Sequence, residues 1–153
     1  FYLSVKPGTC IAAWTAIDAA TLENGCMYIV PGSHKMDISC PDMEDMRRRN
    51  RGNLVDPPKG MKAVPAIMQP GDTLFFNGSV IHGSGRNRSQ TAWRRAFISH
   101  YMPKASICVN PNYFPICDFD GSQIEYEEAT AGGPCGEAVG AVANTYGVDA
   151  EFH

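Results

Sequence analysis

"PGDTLFFNGSVIHGSGRNRS", residues 70–89, sets two turn signals around an apolar run that ends on a histidine. Pro70-Gly71-Asp72 reads as a turn, since proline presets φ and glycine tolerates the backbone that tight turns require. "TLFFNGSVIH" (73–82) is rich enough in aromatic and β-branched residues to read as a strand. Gly83 and Gly85 then leave the backbone bare next to His82, so a ligand can come close. Ser84 offers a hydroxyl two residues on. The chemistry of His82 depends on what else the chain can bring to it.

Working outward, the same kind of segment recurs. "TCIAAWTAID" (9–18), "CMYIV" (26–30), "MKAVPAIM" (61–68) and "WRRAFISHYM" (93–102) all read as strands. Turn residues separate them: Lys-Pro-Gly at 6–8, "ATLENG" at 20–25 and "PGSH" at 31–34. From Lys35 to Gly60 the pattern breaks into a long insertion. "PDMEDMRRRNR" (41–51) suits a short helix there, with acids at its start and arginines at its end, as the helix dipole favours. After Pro103 the chain turns irregular, with one weak helical stretch, "GEAVGAVANTYG" (136–147), diluted by glycine. Short strands joined by turns predict an all-β sandwich or barrel of jelly-roll type. No GxGxxG and no P-loop is present.

Composition narrows the class. The 153 residues suffice for one domain with a core, and 44% hydrophobic with 19% charged is ordinary for a globular chain. A net charge of -3 gives no electrostatic reason to bind nucleic acid or an anionic membrane. No apolar run reaches the roughly 18 residues of a spanning helix. Six cysteines show no CxxC and no zinc spacing, and are read as free thiols in a reducing compartment. Asn77 and Asn87 each begin an N-x-S triplet, and both are read as unused glycosylation sites.

Two arginines, Arg94 and Arg95, lie on the strand candidate after His82. A guanidinium can hold a carboxylate in a two-pronged fork. An imidazole, a hydroxyl and a guanidinium could thus converge on a metal-bound carboxylic acid. Alternation sends the two arginines to opposite faces, so only one can enter such a pocket, and periodicity does not say which.

"AAWTAIDAATLENGCMYIVPGSHK" (12–35), "PGDTLFFNGSVIHGSGRNRS" (70–89) and "WRRAFISHY" (93–101) together resemble the phytanoyl-CoA dioxygenase family, in the family's order and with its gaps. The resemblance runs from Phe1 to about Met102. It implies an Fe(II)- and 2-oxoglutarate-dependent oxygenase on a double-stranded β-helix, the cupin-like jelly roll. The core would span residues 1–105, with an insertion at about 35–60, and 106–153 would be an irregular extension of the same domain. It implies that His82 is the distal histidine of a facial triad of two histidines and a carboxylate. Ser84 and Arg94 would bind the distal carboxylate of 2-oxoglutarate, since the family's Arg-x-Ala pattern selects Arg94. Trp14 would line that pocket, although a core tryptophan on an inward face explains it nearly as well. His34 belongs to a loop motif and not to the ligand set, and His100 is read as structural. The run from Arg47 to Arg51 is read as a solvated helix face.

The triad also needs a His-x-Asp pair, whose spacing puts both side chains on one strand face. No His-x-Asp or His-x-Glu occurs in the 153 residues. By resemblance the pair falls just upstream of Phe1, so the expectation is a fragment of a longer protein, inactive alone and incomplete as a β-helix. The expected cofactors are Fe(II) and 2-oxoglutarate, with ascorbate as reductant, and the partners are O₂ and a small organic or acyl-CoA-like substrate. Hydroxylation is the leading outcome. A halogenase, with a small residue in place of the carboxylate ligand, and a non-catalytic jelly-roll binding module are the alternatives. A cytoplasmic location is the default.

Overall fold

The computed structural model describes residues 10–37, 39, 55–104, 108–109 and 113–128. The helices expected at 41–51 and 136–147, and the Arg47–Arg51 run, lie outside them. The described residues form ten strands: β1 (Ile11–Ala16), β2 (Met27–Ile29), β3 (Val64–Ala66), β4 (Thr73–Asn77), β5 (His82–Ser84), β6 (Ala96–Tyr101), β7 (Cys108–Val109), β8 (Ile116–Cys117), β9 (Gln123–Ile124) and β10 (Glu127–Glu128). Helix among the described residues is of the 3-10 kind, at Ser33–Lys35 and at Tyr113. None of it is long and apolar enough to cross a membrane.

Two antiparallel three-stranded sheets carry the architecture, in the orders β4-β1-β6 and β3-β2-β5. After the β2–β3 hairpin, which stays in one sheet, the chain changes sheet at each following strand to β6, as in a jelly roll. The neighbouring strands β1 and β2 do not pair with each other, and neither do β3 and β4. The segment read as one strand from Thr73 to His82 is in fact two. Asn77 accepts from the amide of Ser79 (3.2 Å) and its carbonyl accepts from the amide of Val80 (3.2 Å), which makes a turn. This Asn-Gly-Ser turn carries the chain from one sheet to the other.

The core lies between the sheets. Trp14 and Ala16 of β1 pack with Ala20, Cys26, Met27 and Met68, against the partly buried Leu74, Phe76 and Ala96. Trp14 is only 2% exposed, and burying a side chain of that size contributes roughly 3 kcal/mol. Residues opposite one another across antiparallel strands share a face. The register therefore puts Leu74, Trp14 and Ile98 in one inward row, and Phe76, Ala12 and His100 in the next. Two cysteines, Cys10 and Cys26, are buried free thiols, and Cys117 is an exposed one.

One glycine is structurally required where the sheets meet the site. Gly25 has φ 82°, and a Cβ there would run into the carbonyl oxygen of Gly85. The Gly85 amide donates to the Cys26 carbonyl (3.2 Å), so the chain just after Ser84 is laid directly on the turn before β2.

Candidate active site

His82 opens β5, opposite Ile29 of β2. Its ring packs on Phe76 with centroids 4.6 Å apart. Since Phe76 belongs to the core-facing row of β4, the imidazole faces inward between the sheets. Its Nδ1 lies 2.8 Å from the Val80 carbonyl oxygen. A carbonyl can only accept, so Nδ1 must carry the proton, and the neutral ring then presents Nε2 as a lone pair. A backbone carbonyl on the far nitrogen is the arrangement that orients a metal-binding histidine. Ser84 follows two residues later on the same face, opposite Met27 of the core cluster. The step from His82 to Ser84 is about 7 Å along the strand.

The two arginines part company. Arg95 turns outward and forks onto Asp18, with Nε to Oδ2 and Nη2 to Oδ1 both at 2.8 Å, while its amide also donates to Oδ2 (2.9 Å). Those bonds hold the Asp18 carboxyl down at about 2. Arg94 turns inward, its guanidinium carbon 5.9 Å from the centroid of Trp14, within range of a cation–π contact. Its Nε is buried with no hydrogen-bond partner among the described residues. A buried donor left unmade costs about 1–3 kcal/mol, and more when charged. Burial pushes the nearby Cys26 thiol up, while the charge of Arg94 pulls it the other way.

The site is therefore layered. Ser84, Met27, Trp14 and Arg94 occupy one level, and His82, Phe76 and His100 the next. Partial desolvation pushes the pKa of His100 down although the residue is exposed, and the nearness of His82 adds to this. Among the described residues no cluster of three or more His, Cys, Asp or Glu side chains forms a metal-holding group. They supply two inward imidazoles, His82 and His100.

Two anchoring residues escaped the sequence reading. In "PGSH", His34 is exposed, and its carbonyl accepts from Asn77 Nδ2 (3.0 Å). The working residue is Ser33, fully buried. Its hydroxyl donates to the Val30 carbonyl (2.7 Å) and accepts from the Ile81 amide (2.9 Å), fixing the backbone next to His82. In "ENG", Asn24 is buried and donates from Nδ2 to the carbonyls of Ala19 (2.7 Å) and Trp93 (3.1 Å). It thereby fixes the residue before Arg94. Both carry local turn signals, but only long-range partners show what they hold. Ser33→Ala is expected to cost about 1–3 kcal/mol, because the Ile81 amide loses its acceptor in a partly buried place and the Val30 carbonyl loses its buried donor. Urea denaturation of the two proteins checks this, and an unchanged midpoint would mean that the hydroxyl is dispensable. The N-x-S asparagines are similarly engaged: Asn87 Nδ2 donates to the Ala92 carbonyl at 2.8 Å.

An antiparallel jelly roll with an inward imidazole, a hydroxyl and a guanidinium whose buried Nε has no partner among the described residues belongs to the class of folds that house 2-oxoglutarate-dependent oxygenases. Comparison with known proteins is specific. Residues 1–96 match the family model described as "Phytanoyl-CoA dioxygenase (PhyH)", and the chain belongs to that family. It is 36% identical over 104 residues to a probable phytanoyl-CoA dioxygenase of Caenorhabditis elegans, covering 65% of this chain and 33% of that protein. It is 32% identical over 113 residues to the peroxisomal phytanoyl-CoA dioxygenase of Mus musculus, covering 71% of this chain and 33% of that protein. The chain thus spans about a third of the length of these relatives. Among solved structures it is similar to the epimerase SnoN in complex with Fe3+, alpha ketoglutarate and nogalamycin RO. That match has a TM-score of 0.56 and 26% identity, and covers 89% of this chain and 52% of SnoN.

Proposed function

We propose that this chain forms part of an Fe(II)- and 2-oxoglutarate-dependent oxygenase that hydroxylates a small organic or acyl-CoA-like molecule. The observation that carries the reading is the buried, unpartnered Nε of Arg94 beside Trp14. A cation held there with a donor unmade calls for an anion of the right size, and a carboxylate satisfies it. The iron- and alpha ketoglutarate-containing structure of SnoN supports the same cofactor pair.

The residues present fit the two groups. His82 Nε2 would be one ligand to iron, its tautomer held by Val80. Arg94 and Ser84 would hold the distal carboxylate of 2-oxoglutarate, with Trp14 forming the apolar wall of that pocket. The spacing of about 7 Å between His82 and Ser84 suits a five-carbon diacid lying between them. When bound, iron and 2-oxoglutarate supply the oxidation of the substrate by O₂, with succinate and CO₂ as co-products. The protein's part is to orient and to exclude water. Arg94 neutralises the carboxylate in a site dry enough for that charge pair to be strong, and Gly25 and Gly85 pack tightly enough to close the pocket behind Ser84. A His-x-Asp pair encoded upstream of Phe1 would complete the ligand set, and ascorbate would serve as reductant. The cytoplasm remains the default location.

The test is anaerobic titration of Fe(II) and 2-oxoglutarate into the complete gene product. The expected result is the visible charge-transfer band of the iron–2-oxoacid chelate, followed by succinate release on admitting air. A protein that binds neither would fit a non-catalytic jelly-roll module instead.

A further inference from the structure

We propose that His100 is a substrate-positioning residue, which stands on the side of the site away from the 2-oxoglutarate pocket and offers its imidazole to a hydrogen-bonding group of the substrate. The proposal rests on the reading of His82 as iron ligand and Arg94 as carboxylate clamp. It departs from the structural role that the sequence suggested.

Three observations place the residue. First, the register pairs His100 with Ala12, whose other cross-strand partner is Phe76. Phe76 is the ring on which His82 packs. His100 therefore shares the inward row that meets His82, not the outward face with Phe97 and Tyr101. Second, its place on the strand is set apart from that of the clamp. The Arg94 backbone lies six residues earlier, about 20 Å away at the rise of an extended strand, and its guanidinium reaches back as far as Trp14, opposite Ile98. Third, it is exposed, and its ring has no hydrogen-bond partner among the described residues. The ring is therefore free to bond a molecule that enters from the solvent side.

What lies between narrows the chemistry. Ile98, on the same inward face, is 50% exposed. An apolar wall followed by one imidazole suits a molecule with a hydrocarbon portion and a neighbouring oxygen function, such as a carbonyl or hydroxyl. The imidazole can donate to the first or accept from the second, according to its tautomer.

The complete gene product tests this without knowledge of the substrate. Selective isotope labelling of the histidine rings allows Mn(II) and diamagnetic Zn(II) to be compared at the iron site. Mn(II) is expected to broaden the His100 ring signals beyond detection, and sharp signals would overturn the proposal by placing the ring elsewhere. Diethyl pyrocarbonate modification of His100, located by mass spectrometry, is expected to change less than twofold when 2-oxoglutarate is added. Protection by 2-oxoglutarate would overturn it, because the ring would then line the co-substrate pocket. His100→Ala and His100→Gln are expected to keep the wild-type affinity for Fe(II) and 2-oxoglutarate within twofold, and loss of either by both variants would assign His100 to the metal or clamp. If the wild-type protein forms no iron–2-oxoacid band, the oxygenase reading fails by itself, and that outcome is separate from any result on His100.

Discussion

Arg94→Ala is expected to weaken 2-oxoglutarate binding about 100-fold, and Arg95→Ala to leave it within about twofold. A hydrogen bond to a charged group contributes about 1.5–3 kcal/mol, and a fork on a carboxylate lies toward the upper end, which is about 100-fold in affinity. Arg94 is buried at Nε and lies over Trp14, with no anion of the protein to satisfy it among the described residues. Arg95 is already spent on Asp18 at 2.8 Å and stands 63% exposed. Its loss removes an exposed ion pair of small energetic weight. Titration of the charge-transfer band in each variant makes the comparison. Equal weakening by the two would refute the assignment of faces. Arg94→Lys separates charge from shape: lysine keeps the charge but not the planar fork, and is expected to recover only part of the affinity.

His82→Ala is expected to lose stoichiometric iron altogether. The ring is the one inward imidazole with its Nδ1 proton committed to a carbonyl and its Nε2 left open. Removing one of three protein ligands leaves a site too weak to survive gel filtration. Metal analysis of the eluted protein checks this, with His34→Ala as the control, since His34 is exposed and, among the described residues, bonds through its backbone carbonyl. Retained iron in His82→Ala would make the histidine a strand-end residue held by Phe76 and Val80. Circular dichroism on the same sample confirms that the fold is intact, because the imidazole is exposed enough for its loss to leave no large cavity.

Much of the β-architecture was open to reading along the chain. Every segment expected as a strand contains one, since aromatic and β-branched runs between Gly and Pro turns carry a local signal. Where the reading went astray, the missing information was non-local. The run from Thr73 to His82 looks continuous because Gly78 and Ser79 are a mild interruption, and only the destination sheets of β4 and β5 make the break decisive. His34 attracted notice as a side chain with chemistry, yet Ser33 makes the buried bonds to Val30 and Ile81. Asn24 looked like ordinary loop composition until its amide met Trp93, 69 residues away. His100 read as structural because nothing in "ISHY" says that its neighbour across β1 is Phe76.

By itself, then, the sequence determined the strand inventory, the membership of the phytanoyl-CoA dioxygenase family, and the stretch around His82 where an imidazole and a hydroxyl sit two residues apart. These follow from local propensity, turn chemistry and spacing along one strand. The resemblance selected Arg94 of two adjacent arginines, but only the tertiary structure gives the physical reason that it turns inward. Periodicity is symmetric between them, and the choice comes from Asp18 on one side and Trp14 on the other, each brought there by pairing between strands distant in the chain. It likewise decided that His82, Phe76 and His100 share one level of the interior, because that level is made by the register of three strands and the meeting of two sheets.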